Sequence, residues 1–375
     1  MKRIGAIVLF LVFNMNNAVA QPVSPVALAQ AAREQFAAAH AQLEAADGAS
    51  NRVKALSNVI RAYEEGLEAM RAGLRQISLR EAELSEAFED ESGQVAALLG
   101  VLVTLQPDAT PEALVHPTGP LGRARAGMLV SSVTPAMQEA ADVLRVQLQE
   151  ATILRELQDE AVATLSIGLK DAQQARTELS QAMSDRVGLP KRFVTDNERL
   201  RILIESSETL ESFASGLAVM DVVDGVAPLP DFGATKGTWP MPVRGRILRG
   251  FNEADAAGVA RPGVLVATRQ LSLVTSPWPA TVRYHGAFLD YGNVMILEPS
   301  NDVLLVLAGL EEVYGEIGEV IPEGAAIGLM GGVALDLAAF VENAEDGTGA
   351  GLSETLYIEV REGGQPVDPA VWFTQ

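Results

Sequence analysis

Thr355-Leu356-Tyr357-Ile358-Glu359-Val360-Arg361, followed by Gly363-Gly364-Gln365-Pro366-Val367-Asp368-Pro369, is the stretch on which the reading of this chain turns. A short run rich in Leu, Ile and Val, closed by glycines and prolines, reads as a strand that ends in a turn. Three earlier phrases have the same character: Trp239-Pro240-Met241-Pro242-Val243-Arg244-Gly245, Arg261-Pro262-Gly263-Val264-Leu265-Val266 and Tyr291-Gly292-Asn293-Val294-Met295-Ile296-Leu297. Around them Arg244–Gly250, Gly263–Val266, Ser272–Val274, Ala280–Tyr284, Asn293–Glu298 and Val303–Ala308 read as short strands. Leu356–Arg361 is the final core strand, and Trp372 and Phe373 pack the end. Lys236 to Gln375 is therefore expected to be one compact β domain, with Asp336–Gly351, polar and glycine-rich at its end, as an inserted loop.

In their order and spacing the four phrases resemble the LytM (lysostaphin-like) zinc metallopeptidase domain of bacterial cell-wall enzymes, over essentially the whole C-terminal domain. Val320-Ile321-Pro322-Glu323-Gly324 and Ala326-Ile327-Gly328 are similar to the family's late hairpin. In active members the second phrase begins with a zinc-binding His, and a zinc-binding Asp follows four residues later. Arg261 and Leu265 stand at those positions. The fourth phrase normally reads His-Leu-His-Phe-Glu, its first His catalytic and its second a zinc ligand. Thr355 and Tyr357 replace them, and Gly309 aligns with a further catalytic His.

A hydrolytic zinc site needs about three N or O ligands and one open position for water. Arginine is a permanent cation and leucine offers no lone pair. The chain has three histidines, His40, His116 and His285. The first two lie far upstream, and His285 falls on the wrong strand for a ligand. The expectation is a domain with no catalytic residue, no metal and no cofactor. Glu359 is read as a strand residue at the sheet's end.

At 375 residues the chain is long enough for two or three domains. Only 5% of residues are aromatic while Ala, Leu, Glu, Gln and Arg abound, which favours long helices over one large mixed core. A formal net charge of −21 argues against nucleic acid and against an anionic membrane surface. The absence of cysteine excludes disulfides and thiol catalysis. Lys2 and Arg3, the apolar run Ile4–Phe13 and Ala18-Val19-Ala20 form a cleavable export signal over residues 1–20, so the mature chain is expected in the periplasm.

From about Pro25 to Leu105 the pattern is helical, with a break over Asp47–Asn51; beyond it Val53, Leu56, Ile60, Tyr63, Leu67, Met70, Leu74 and Ile77 recur at alternating spacings of three and four, a coiled-coil seam. A second helical pattern runs from about Pro135 to Arg186, with Leu148, Leu154, Ala161, Leu165, Ala172 and Leu179 among its apolar positions. Prolines and glycines over Pro107–Gly122 break the two apart. Residues 21–190 are thus expected to form a long antiparallel α-helical coiled-coil hairpin, its tip over Val95–Val133 carrying short helices of its own. An export signal, such a hairpin and a degenerate LytM domain together resemble EnvC-type murein hydrolase activators. That resemblance implies that the coiled coil docks on the FtsE–FtsX division complex. It implies also that the β domain switches on an N-acetylmuramoyl-L-alanine amidase.

Residues 191–235 join the halves. Thr195 and Glu198 read as a capping box opening one amphipathic helix of about six turns, with Leu200, Leu203, Ile204, Leu210 and Phe213 on its face. That face packs either on the base of the coiled coil or in the groove of the β domain. The resemblance implies the second, a regulatory arm that blocks the groove. The emptied site, lined by Arg261, Leu265, Thr355 and Tyr357, can take a partner's helix in helix-in-groove mode. The expected function is non-catalytic activation of periplasmic amidases in septal peptidoglycan splitting. The alternatives are an active LytM-type peptidoglycan endopeptidase and a structural division adaptor that binds peptidoglycan.

Overall fold

The computed structural model describes residues 25–44, 49–105, 119–186, 197–220, 235–255, 258–300, 302–346 and 351–374. The export signal, the hairpin tip over 106–118, the cap at Thr195 and the linker over 221–234 lie outside the described residues.

Helix α1 (Pro25–Glu44) is followed by two long helices, α2 (Ala49–Leu105) and α3 (Gly119–Ser184). The seam read from the sequence is the core: Val53, Leu56, Ile60, Tyr63, Leu67, Met70, Leu74 and Ile77 are all buried, as are Leu154, Ala161, Leu165, Ala172 and Leu179. Leu148, expected in that core, is exposed. Arg52 pairs with Glu178 at 3.3 Å and Arg80 with Glu150 at 2.7 Å, so partner numbers fall along α3 as they rise along α2. That is the antiparallel hairpin. No described helix is long and apolar enough to cross a membrane.

Two expectations about the helices are corrected. α3 begins at Gly119, not near Pro135, and runs through that proline; α2 runs to Leu105. Much of the expected tip is therefore the ends of the long helices, not short helices of its own. Pro120 fits because a helix's first turn needs no intrahelical N–H, and Pro135 removes a single hydrogen bond from a 66-residue helix. A third helix, α1, stands at the base of the hairpin. α1 packs on both long helices, and the Phe36 ring lies where a Cβ on Gly66 or Gly168 would fall, 2.5 and 2.9 Å from ring carbons.

The C-terminal domain is an antiparallel sheet. Its strands are β1 (Gly245–Arg249), β2 (Val264–Thr268), β3 (Leu273–Thr275), β4 (Ala280–Ala287), β5 (Asn293–Ser300), β6 (Val303–Val313), β7 (Val320–Ile321), β8 (Ala326–Met330), β9 (Glu354–Glu362) and β10 (Gln365–Val367). The main path runs β1-β2-β9-β6-β5-β4-β7, with β10 on β9 and β8 joining β3 to β6. Strand side chains alternate between faces. Leu356, Ile358 and Val360 of β9 join Val266, Leu305, Leu307, Met295 and Leu297 in one core, closed by Trp239 and Trp372 with ring centroids 5.0 Å apart. Tyr357, Glu359 and Arg361 point to the other face.

Asp336–Gly351 is not a plain loop. It holds helix α6 (Leu337–Asp346), opened by Asp336, whose Oδ1 accepts from the Ala339 N–H at 2.8 Å. Phe340 and Ala344 bury against α2 and α3, together with Leu273, Tyr314, Ala326 and Leu329 of the β domain. Tyr314 Oη meets Ser180 Oγ at 2.9 Å and Arg186 pairs with Glu319 at 2.5 Å, so the hairpin base and the β domain share a continuous contact.

Candidate functional site: the covered face of the β domain

The second sheet face is covered by the segment that joins the two halves. It forms two helices, α4 (Asn197–Ser206) and α5 (Leu210–Val219), where one unbroken helix was expected. The break has a local cause. Thr209 caps α5, its Oγ1 accepting from the Ser212 N–H at 3.1 Å while Ser212 Oγ accepts from the Thr209 N–H at 3.2 Å. This reciprocal cap starts a new helix and lets the chain fold back. Leu203 of α4 then lies where a side chain on Gly216 would be.

Leu200, Leu210, Phe213, Ala214 and Leu217 form one buried cluster with Tyr284, Phe288, Val294, Ile296, Val306, Ala308 and Tyr357, and Leu203, Ile204 and Leu265 pack at its edge. Phe213 is fully buried, stacked on Phe288 at 4.6 Å and edge-on to Tyr284 at 4.8 Å. Register explains why these residues meet. Leu265 pairs with Tyr357, and Tyr357 with Ala308, across β2, β9 and β6. All the arm residues singled out from sequence sit in or against this cluster.

The four residues expected to line the groove are not all together. Tyr357 is buried beneath the arm and Leu265 is half-buried beside it. Thr355 is exposed near the start of β9. Arg261 lies half-exposed with its guanidinium 3.7 Å from Asp255 Oδ2. Gly309 has φ +98°, a conformation L side chains rarely adopt, and a Cβ there would come 2.5 Å from the Thr355 carbonyl oxygen.

Beneath the arm lie two groups of buried polar contacts that the sequence reading missed. Tyr357 Oη donates to Glu359 Oε2 at 2.7 Å, and Arg361 Nη1 donates to Glu359 Oε1 at 2.6 Å. Arg361 Nη2 donates to Ser215 Oγ of α5 at 2.6 Å and to the Gly364 carbonyl at 2.8 Å. Arg283, paired with Glu298 at 3.1 Å, donates to the carbonyls of Leu217 at 2.9 Å and Met220 at 3.1 Å. Those carbonyls belong to the C-terminal end of α5, where a cation also meets the negative end of the helix dipole. Glu359 is thus a central, buried residue, contrary to its expected place at the sheet's end. Burial, and next the Glu359 carboxylate, hold the Tyr357 phenol far above its ordinary pKa. Charged residues within apolar strands were the available signal.

The donor set at the positions that the sequence resemblance aligns with zinc ligands does not fit zinc. A guanidinium, an alkyl chain and a phenol already bound to a carboxylate cannot replace imidazole and carboxylate ligands. His285 on β4 faces Met295 across the strand pair, and burial lowers its pKa. Among the described residues no three His, Cys, Asp or Glu side chains group so as to hold a metal ion.

No family model matches the chain. Among curated proteins it is similar to an uncharacterized protein of Neisseria meningitidis serogroup B, NMB1333, with 26% identity over 151 residues, 40% of this chain and 22% of that protein. Among solved structures it is similar to Helicobacter pylori Csd3, at 22% identity and TM-score 0.28 over 36% of this chain and 35% of that one. A zinc-containing peptidase from Vibrio cholerae gives 19% identity and TM-score 0.29, covering 38% and 41% of the two chains. A putative M23 peptidase from Pseudomonas aeruginosa gives 15% and 0.31, covering 47% and 61%. The matched region spans about a fifth of the Neisseria protein and about a third of Csd3.

Proposed function

We propose that this chain is an exported, non-catalytic activator of periplasmic N-acetylmuramoyl-L-alanine amidases, held off by its own α4–α5 arm. The reading rests on the seating of α5 over the Leu265–Tyr357 row, together with residues there that cannot bind zinc. Undocking the arm exposes an apolar strip flanked by Thr355 and Arg261, a surface suited to an amphipathic helix of the amidase. Arg261 then offers a bidentate partner for a carboxylate on that helix. The trigger is proposed to come through the coiled coil, from the FtsE–FtsX complex at the division septum. The bond cut, between N-acetylmuramic acid and the stem peptide of peptidoglycan, is cut by the amidase.

The test is dye release from labelled murein by a periplasmic amidase, with the full-length protein or with its Phe213→Ala variant added. Stimulation should be greater with the variant than with wild type. If neither stimulates, the adaptor reading takes its place; if the protein alone releases dye, the endopeptidase reading does.

A further inference from the structure

A cavity of about 180 Å³ lies where the hairpin meets the β domain, away from the arm-covered face. Arg71, Arg176, Arg244, Arg246 and Arg269 line it, against Glu64 and Glu68 only. The protein as a whole carries a net −21, so five arginines gathered at one cavity run against its composition.

The carboxylates present are already engaged. Glu64 Oε1 accepts from the Leu273 N–H at 2.8 Å and lies 3.5 Å from Arg176. Arg244 pairs with Glu65 and, at 3.5 Å, with Glu68. No described carboxylate comes within ion-pair reach of Arg71, Arg246 or Arg269, although Glu68 still attracts Arg71 and Arg269 from farther off. Arg71 is held in place by Phe340, whose ring centroid lies 3.9 Å from the guanidinium carbon, and its Nε is buried without a hydrogen-bond partner. Burial and the neighbouring Arg269 push the Arg71 pKa down to about 9. Guanidinium forks match oxyanions with two or more oxygens.

We propose that this cavity is a binding site for a small oxyanion group, a phosphate or a carboxylate, held between Arg71, Arg246 and Arg269. The space is ample for one such group. Residues from α2, α3 and the β domain all line it, so the bound anion also strengthens the contact between the two halves. The inference is independent of the amidase reading.

The experiment is thermal unfolding of the full chain at constant ionic strength, titrated with inorganic phosphate or with sodium acetate against chloride. A ligand that binds only the folded state raises Tm in a saturable way. Wild type should show that rise with at least one of the two anions, and the stronger responder identifies the oxyanion class. Arg269→Gln and the exposed Arg246→Gln should each weaken the half-saturation concentration by roughly tenfold, in line with loss of a charge-assisted bond. Arg145→Gln, on an exposed stretch of α3, should leave it unchanged. No saturable rise in wild type, or an equal rise in Arg269→Gln and Arg246→Gln, overturns the site.

Discussion

Replacing Phe213 by alanine should loosen the arm without unfolding the molecule. The four large arm side chains buried on the sheet, Leu200, Leu210, Phe213 and Leu217, contribute about 1.5–3 kcal/mol each before the entropy of ordering the segment. A buried Phe→Ala change removes about 3–5 kcal/mol, and here both aromatic contacts go with it. At ~1.4 kcal/mol per decade, the opening equilibrium should shift roughly a hundredfold to a few thousandfold. An undocked ten-residue helix does not persist alone in water, so undocking and unfolding of α5 coincide. Native-state amide exchange is therefore the right assay. Amides of 210–219 should exchange faster by that factor, while α2 and α3 keep wild-type protection. Unchanged exchange in α5, or a uniform increase along the whole chain, would refute the idea that the arm is held as a separable unit by this ring.

Two further outcomes are expected. Arg361→Met leaves Glu359 buried without its cation and should lower stability by about 3–5 kcal/mol; adding Glu359→Leu should restore much of it, as read from urea midpoints. His285 has a depressed pKa, so between pH ~6.5 and that lower value the unfolded chain binds more protons than the folded one. Its contribution is complete above pH ~6.5 and is lost as pH falls, by at most about 1.4 kcal/mol per pH unit. Urea unfolding at pH 7.5 and 5.5 should show a smaller pH-linked loss for His285→Asn than for wild type.

The hairpin and the sheet were legible because each repeats a short period. Alternate threes and fours from Val53 to Ile77 leave little freedom, and the strand phrases are bounded by Gly and Pro. That Arg261 and Leu265 themselves offer no zinc donor follows from their side-chain chemistry, which needs no geometry. The break in the arm was not seen because Leu210 and Phe213 continue the apolar face of α4; only the pairing of Thr209 with Ser212 marks it. Helix α6 was hidden by its glycine-rich tail, although Leu337, Phe340, Val341 and Ala344 already follow helical spacing. Charged residues within apolar strands hinted at the buried group of Glu359, Arg361 and Ser215, but its partners could not be read. Its members are 146 residues apart in the case of Arg361 and Ser215, and only the covering of the sheet brings them together.

Phe36 rests in the notches left by Gly66 and Gly168, and this has a mechanical corollary. Sliding α2 past α3 at that height would drive the ring into backbone, so shear is blocked there and the lower bundle behaves as a clamped base. Above Gly66, α2 continues for a further 39 residues to Leu105, roughly 58 Å at ~1.5 Å per residue. A force applied at the far end must then reach this clamp along a seam that stays packed on α3 at Met70, Leu74, Ile77 and Leu84, so it arrives as bending of the paired helices and not as their sliding.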